Sequence, residues 1–247
     1  EFVAELRSLN ADLFIVIAFR MLPEVVWSMP RLGTFNLHGS LLPKYRGAAP
    51  LNWAVINGDT ETGVTTFFLK HDIDTGDIID RRSIPINPED NVGDIHDRLM
   101  MLGAELTIDT VQRILDGNLT TTPQDELTKG VEPTPAPKIF KETCHIDWTR
   151  NARDIHNLVR GLSPYPAAWC ELVSPDNDIK TIKIFATAVT DDNASAEPGT
   201  IKSDNHRMLI ACGDKWLEVL SLQLSGKRRM DTAEFLRGFN PAAYKAQ

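Results

Sequence analysis

The stretch Phe35–Pro50, FNLHGSLLPKYRGAAP, decides how this chain is read. With the preceding Gly33-Thr34 it predicts a short strand that runs into a loop. Asn36 and His38 are two residues apart, so on a strand their side chains leave the same face. Ligands of open α/β sheets bind beyond the carboxyl ends of the strands. An amide and a titratable imidazole would therefore share one cleft. The pair suits a carbonyl under attack: Asn36 can donate to a developing oxyanion, and His38 can give or take a proton near neutral pH. Taken alone, Asn-x-His more often steadies a Gly-Ser turn.

Upstream, ADLFIVIAF (11–19) is a continuous apolar run of strand length. Lack of alternation predicts a strand buried on both faces, as in a parallel sheet covered by helices. EFVAELRSLN before it predicts an amphipathic helix with Phe2, Val3, Leu6 and Leu9 on one face. PEVVWSM predicts a short helix with Pro23 at its first position. Downstream, APLNWAVINGD predicts a helix closed by Asn57-Gly58, and TGVTTFFLK a strand. HDIDTGDIIDRRSIPI predicts an acidic turn and a strand. NVGDIHDRLMMLGAELTIDTVQRILDG predicts a long helix with Gly103 inside it. Alternating helices and strands predict an α/β layer fold with a partial parallel sheet and flanking helices. The sheet starts as if at its third or fourth element.

The pattern changes after Asn118. NLTTTPQDELTKGVEPTPAP holds four prolines and no apolar periodicity, which predicts a linker over 119–137. It would separate a first domain, 1–118, from a second, 138–247. The second opens on a helix with Ile155, Leu158, Val159 and Leu162 as its apolar face. Short apolar runs separated by polar turns follow, predicting a small β-barrel or sandwich, then a last amphipathic piece, TAEFLRGF.

Of the 247 residues, 42% are hydrophobic and 24% charged, as in a globular protein with a sizeable core. Net charge is −8, unevenly spread. Residues 1–136 hold 11 Lys+Arg and 20 Asp+Glu, a balance of −9, and residues 137–247 hold 15 and 14, a balance of +1. Two ordinary domains explain that; so would a second half that meets something anionic. Cys144, Cys170 and Cys212 form no CxxC pair, so neither a disulfide framework nor a thiolate zinc site is indicated. A reducing, cytoplasmic setting and a monomer are expected.

HDIDTGDIID crowds Asp72, Asp74, Asp77 and Asp80 around Gly76. A carboxylate near His38 could orient the ring and stabilise its charged form. A solvated acidic turn is the plainer reading, and a divalent metal is disfavoured because no Glu sits at EF-hand spacing. The basic string Lys227-Arg228-Arg229, and Lys44 with Arg46 beside the cleft, are exposed turns or phosphate contacts. His71, His96, His145, His156 and His206 lie singly and read as structural or surface residues.

FNLHGSLLPKYRGAAPLNWAVINGDTETGVT followed by DIDTGDII resembles the folate-dependent formyltransferases, and APKIFKETCHIDWTRNARDIHNLVRGLSPYPAAW resembles the carboxy-terminal domain of their tRNA-acting branch. The resemblance spans essentially the whole chain. It implies a Rossmann-like domain followed by an OB-like barrel. It implies transfer of the formyl group of 10-formyltetrahydrofolate to the α-amine of methionine on initiator methionyl-tRNA, with no metal. Asn36, His38 and Asp74 match the catalytic trio: Asn36 and protonated His38 donate to the oxyanion, while Asp74 holds His38 and helps, through a water, to take the amine proton. Arg20, Met21 and Leu22, with His71, Asp72 and Ile73, would line the pteridine pocket, and Ser40, Leu41, Leu42 and Pro43 the adjoining folate contact. Lys44, Arg46, Lys227, Arg228 and Arg229 would face tRNA. Family members carry a βαβαβ segment before the position of Glu1, about 60–80 residues for two βαβ steps. Two alternatives stand: a formyltransferase acting on a nucleotide-linked amino sugar, and a non-catalytic tRNA-binding fragment.

Overall fold

A computed structural model describes residues 1–18, 21–130 and 132–247. The backbone divides into two compact units. The first comprises Glu1–Ala54, Thr60–Ile86 and Ile95–Lys138; the second comprises Val55–Asp59, Asn87–Asp94 and Ile139–Gln247.

The first unit is built on a four-stranded sheet, in spatial order β1 (Phe14–Val16), β2 (Thr34–His38), β4 (Glu61–Phe68) and β5 (Ile78–Pro85). β1 and β2 run parallel. β2–β4 and β4–β5 are antiparallel, so the parallel character inferred from the apolar run holds for one strand pair. For β4–β5 the reason is local. Only the short acidic turn connects β4 to β5, and a turn of that length permits a hairpin but no crossover. The run itself is less buried than continuous hydrophobicity suggested: β1 is an edge strand, and Ile15 and Ile17 are 44% and 57% exposed.

Helix α1 (Phe2–Ser8) precedes β1 and fully buries no residue; of its predicted apolar face Val3 and Leu6 are half-buried, and Phe2 and Leu9 are exposed. Helix α2 (Glu24–Trp27) has Pro23 as its N-cap rather than its first residue. Helix α3 (Pro50–Ile56) ends at Gly58, whose φ of +75° the Asn-Gly pair anticipated. Helix α4 (Val92–Leu115) starts at a reciprocal cap: Asn91 Oδ1 accepts from the Gly93 and Asp94 amides, and Asp94 Oδ2 accepts from the Asn91 amide. Gly117, at φ +68°, follows its end. Midway, a Cβ on Gly103 would come within 2.8 Å of Leu37 Cδ2, so glycine lets α4 lie close against β2. Phe35, Ile79 and Ile114 form the core between sheet and helix, packed by Leu13, Leu32, Phe68, Val111 and Leu119. Each large side chain so buried contributes roughly 1.5–3 kcal/mol. Leu42, Phe67 and Ile78 form a second cluster, which Leu69 and Leu127 cover.

Leu127 comes from the stretch predicted as a linker. Residues 119–137 instead carry helix α5 (Gln124–Thr128) and strand β6 (Pro135–Ala136). β6 pairs in parallel with β3 (Arg46–Gly47), and Thr122 pairs with Ile78 through two backbone hydrogen bonds. The elements are too short to generate apolar periodicity, and backbone bonds fix them.

The second unit is one antiparallel sheet. Its order is β13 (Lys245–Ala246), β7 (Ala168–Val173), β8 (Ile179–Asn193), β11 (Lys215–Leu224), β10 (Met208–Ala211) and β9 (Ile201–Ser203), with β12 (Met230–Asp231) paired to β11. Thr200 bridges to Lys245, and Ala246 donates to the Gly199 carbonyl, so the two ends nearly meet and the sheet approaches a closed barrel. Helix α6 (Ala152–Leu162) is capped by Asn151, which accepts from the Asp154 amide. It buries Ile155, Leu158, Val159 and Leu162, the face its periodicity predicted. Helix α7 (Thr232–Leu236) packs on β11 and β12 through the buried Thr232 and Phe235. Among the described residues, no helix is long and apolar enough to cross a membrane.

Candidate active site

His38 is the last residue of β2 and is 7% exposed. Its Nε2 lies 2.9 Å from the Tyr45 carbonyl oxygen. A carbonyl only accepts, so Nε2 carries a proton and the neutral ring keeps its lone pair on Nδ1. Nδ1 lies 3.9 Å from Asp74 Oδ2. That is an electrostatic separation, too long for a hydrogen bond. Burial pushes the His38 pKa below its ordinary value, while the Asp74 charge and the bond to Tyr45 act in the opposite sense. The free protein therefore holds the ring neutral.

Asp74 sits on the turn between β4 and β5 with φ +55°, a left-handed conformation that Asp tolerates better than most residues. Its Oδ2 accepts from the Gly47 amide at 2.9 Å. Gly76 explains why the turn is so tight: a Cβ there would overlap the Phe68 carbonyl oxygen. Asn36 lies two residues before His38 and is 5% exposed, and its Oδ1 has no partner among the described residues. A buried amide oxygen without a partner is unusual, and it lines a cavity where a bound molecule could satisfy it.

That cavity has a volume of about 1120 Å³ and lies wholly within the first unit. Asn36, His38 and Asp74 all contribute to its wall. Met21, Leu22 and Ile73 make one apolar side, and Leu99, Ala104 and Ile108 of α4 another. An apolar cleft with a few converging polar groups is the usual form of a small-molecule site. Among the described residues, no group of three His, Cys, Asp or Glu could hold a metal ion.

Comparison with known proteins bears on what the cavity serves. The chain matches the family model "Formyl transferase" over residues 1–111 and "Formyl transferase, C-terminal domain" over residues 138–240. It is 57% identical to a methionyl-tRNA formyltransferase of Bacteroides fragilis, over 97% of this chain and 74% of that protein. It is 52% identical to the one from Flavobacterium johnsoniae, over 96% of this chain and 74% of that protein. The chain belongs to the methionyl-tRNA formyltransferase family. Members of that family are formyl-transferring enzymes, and this is one. Solved structures show the same fold at lower identity. HypX from Aquifex aeolicus, in complex with tetrahydrofolic acid, superposes with a TM-score of 0.67 at 21% identity, over 95% of this chain and 40% of that one. WlaRD, a sugar 3N-formyl transferase, superposes with a TM-score of 0.66 at 19% identity, over 90% of this chain and 77% of that one.

Within this formyltransferase, the structure sorts the residues singled out from sequence. Met21, Leu22, His71, Asp72 and Ile73 line the cavity. Arg20 lies outside the described residues. Ser40, Leu41, Leu42 and Pro43 follow Gly39, which lines the cavity, but are not themselves part of its wall. Ser40 Oγ donates to the Lys44 carbonyl, and Leu42 packs under Phe67, because the loop folds onto its own core. Lys44 is exposed, with Nζ 5.8 Å from the Tyr45 ring centre. Arg46 is half-buried, and its Nε and Nη2 donate to Gln124 Oε1 at 3.0 and 2.7 Å. Lys227 is exposed. Arg228 is paired with Glu234. Arg229 donates to Ser221 Oγ and lies 4.5 Å from the Phe185 ring centre. Two features escaped sequence reasoning. One is the α4 wall, whose apolar residues read as ordinary core. The other is Gln124, whose only signal was a lone amide in a polar stretch.

Proposed function

We propose that this enzyme transfers a formyl group from 10-formyltetrahydrofolate to the α-amine of methionine on initiator methionyl-tRNA. The observation that carries the reading is the meeting of Asn36, His38 and Asp74 in one apolar cavity, with the Asn36 amide oxygen unpartnered. The folate donor is a substrate, and an apolar wall of Met21, Leu22 and Ile73 suits a flat heterocycle. The names of the relatives support methionyl-tRNA as acceptor.

The amine nitrogen attacks the formyl carbon, and the carbonyl oxygen becomes an oxyanion. The Asn36 amide donates to that oxygen. In the sequence-based expectation, His38 entered already protonated. Its lowered pKa favours a ring that starts neutral. His38 Nδ1 then takes the proton released by the attacking amine, and the imidazolium is stabilised by the Asp74 carboxylate 3.9 Å away. Collapse of the intermediate breaks the bond from the formyl carbon to the folate nitrogen, and the His38 proton passes to that nitrogen. The proton balance closes within one turnover.

The second unit, with its basic string, and the exposed Lys44 of the first are the proposed tRNA contacts. The test is formyl transfer assayed with methionyl-tRNA and, separately, with a nucleotide-linked amino sugar. Transfer to the amino sugar with none to methionyl-tRNA would sink the reading. His38→Ala should abolish turnover while folate binding stays within about threefold; parallel loss of binding would make His38 a structural residue.

A further inference from the structure

The backbone of the turn that carries Asp74 is bonded by a side chain from far along the sequence. Gln124 is 2% exposed. Its Nε2 donates to the Asp74 carbonyl and to the Gly76 carbonyl, each at 2.8 Å. Its Oε1 accepts twice from Arg46. The amide orientation is fixed by its partners: Arg46 can only donate and the two carbonyls can only accept. All of the amide's bonds thus join three segments, namely the Asp74 turn, β3 and α5.

Gln124 is itself anchored. Thr122, two residues before it, exchanges backbone hydrogen bonds with Ile78, and Leu127 packs on the cluster of Leu42, Phe67 and Ile78. The partners of the catalytic groups close the frame. Tyr45, whose carbonyl holds His38 Nε2, donates its amide to the Thr134 carbonyl. Gly47, whose amide holds Asp74 Oδ2, lies in the β3–β6 pair. Residues 112–137 fall between the stretches that the two family models match.

We infer that Gln124 is a positioning residue for formyl transfer: by bonding the Asp74 and Gly76 carbonyls while Arg46 fixes its own oxygen, it holds the left-handed Asp74 turn so that the carboxylate faces His38. This rests on the proposed roles of Asp74 and His38. It predicts a specific kinetic signature, because Gln124 is not part of the cavity wall.

The experiment compares the intact protein with Gln124→Glu, Asp74→Asn and the double variant. Glutamate keeps the shape and the Arg46 contact but removes the donor to both carbonyls. The expected result for Gln124→Glu is a fall in kcat of about 10- to 100-fold, the size set by a misplacement of about 1 Å. KM for the folate should move less than threefold, and thermal unfolding should remain cooperative. The double variant should be no slower than Asp74→Asn alone, because both act through one carboxylate. Should Gln124→Glu not fold, Gln124→Met carries the same test. A folded variant with kcat within threefold of wild type, or a double variant whose losses multiply, overturns the inference. Wild-type kcat in Asp74→Asn would instead overturn the role of Asp74, whatever Gln124 does.

Discussion

Replacing Asn36 by leucine should separate activity from stability. The two side chains branch at the same carbon with the same number of heavy atoms, and because Asn36 lines the cavity the bulkier methyl groups of leucine have open space beside its register partners Phe67 and Val16. What changes is polarity. Asn36 Oδ1 is buried without a partner, and a group in that state costs about 1–3 kcal/mol of desolvation. Removing it should leave the unliganded protein unchanged or more stable by about 1–2 kcal/mol. At 2–4 °C per kcal/mol for a domain of this size, that is a rise in Tm of about 2–8 °C. Removing a donor to the oxyanion should lower kcat by about 10²–10³-fold, or some 3–4 kcal/mol of transition-state stabilisation. Thermal melts without folate give the first quantity. Steady-state formylation of methionyl-tRNA gives the second. A variant destabilised by more than 1 kcal/mol would mean the amide oxygen is satisfied in the native state. A variant with kcat within threefold of wild type would remove Asn36 from the mechanism.

Stability should depend on pH through two buried imidazoles. Burial lowers the pKa of His38 and of His156 below the ordinary 6.5. Between that value and the lower folded-state values the unfolded chain binds more protons than the native one, so stability is greatest above pH 6.5 and declines as the pH falls. Urea midpoints at pH 7.5 and 5.5 check this, and a flat profile would refute it. Gly76→Ala should cost roughly 2–4 kcal/mol and most of the activity, since the new methyl group meets the Phe68 carbonyl; a urea midpoint shift worth less than 0.5 kcal/mol would show that the turn can yield. In the second unit, Lys227→Ala should raise the KM for tRNA and reduce the salt slope by about one, whereas Arg229→Ala should mainly lower stability by removing its Phe185 and Ser221 contacts. Equal effects of both on the salt slope would argue that Arg229 reaches phosphate.

The parts of the site legible in the sequence were those encoded within a few residues. Strand spacing put Asn36 and His38 on one face, whereas Asp74 was singled out from the neighbouring aspartates by the family resemblance and not by its local pattern. The burial of Ile155, Leu158, Val159 and Leu162 followed from helical period alone. What stayed hidden depended on partners remote in sequence. Arg46 looked like a surface cation because its acceptor, Gln124, lies in a stretch whose composition resembles a linker. The loop Ser40 to Pro43 is fixed by a residue remote in sequence, Thr65, whose Oγ1 donates to the Ser40 carbonyl and accepts from the Leu42 amide. The orientation of β4 and β5 was equally out of reach, since the β-branched run reads the same in either direction.

The β3–β6 clip joins Arg46 to Pro135, which has a consequence for how the site comes into being. Closing a loop of about 90 residues for one two-residue pairing costs roughly 4 kcal/mol of chain entropy. The clip can form only after the sheet and α4 have already brought its ends together. Tyr45 and Gly47, which hold the imidazole and the carboxylate, sit on that clip, so their geometry is completed last during folding. In the native ensemble the same order runs backwards. The clip should open at a lower free energy than the sheet, so that its amides exchange with solvent ahead of those in β4. Catalytic competence is thus a less stable property of the molecule than its fold, and heating or mild denaturant should extinguish turnover before tertiary structure is lost.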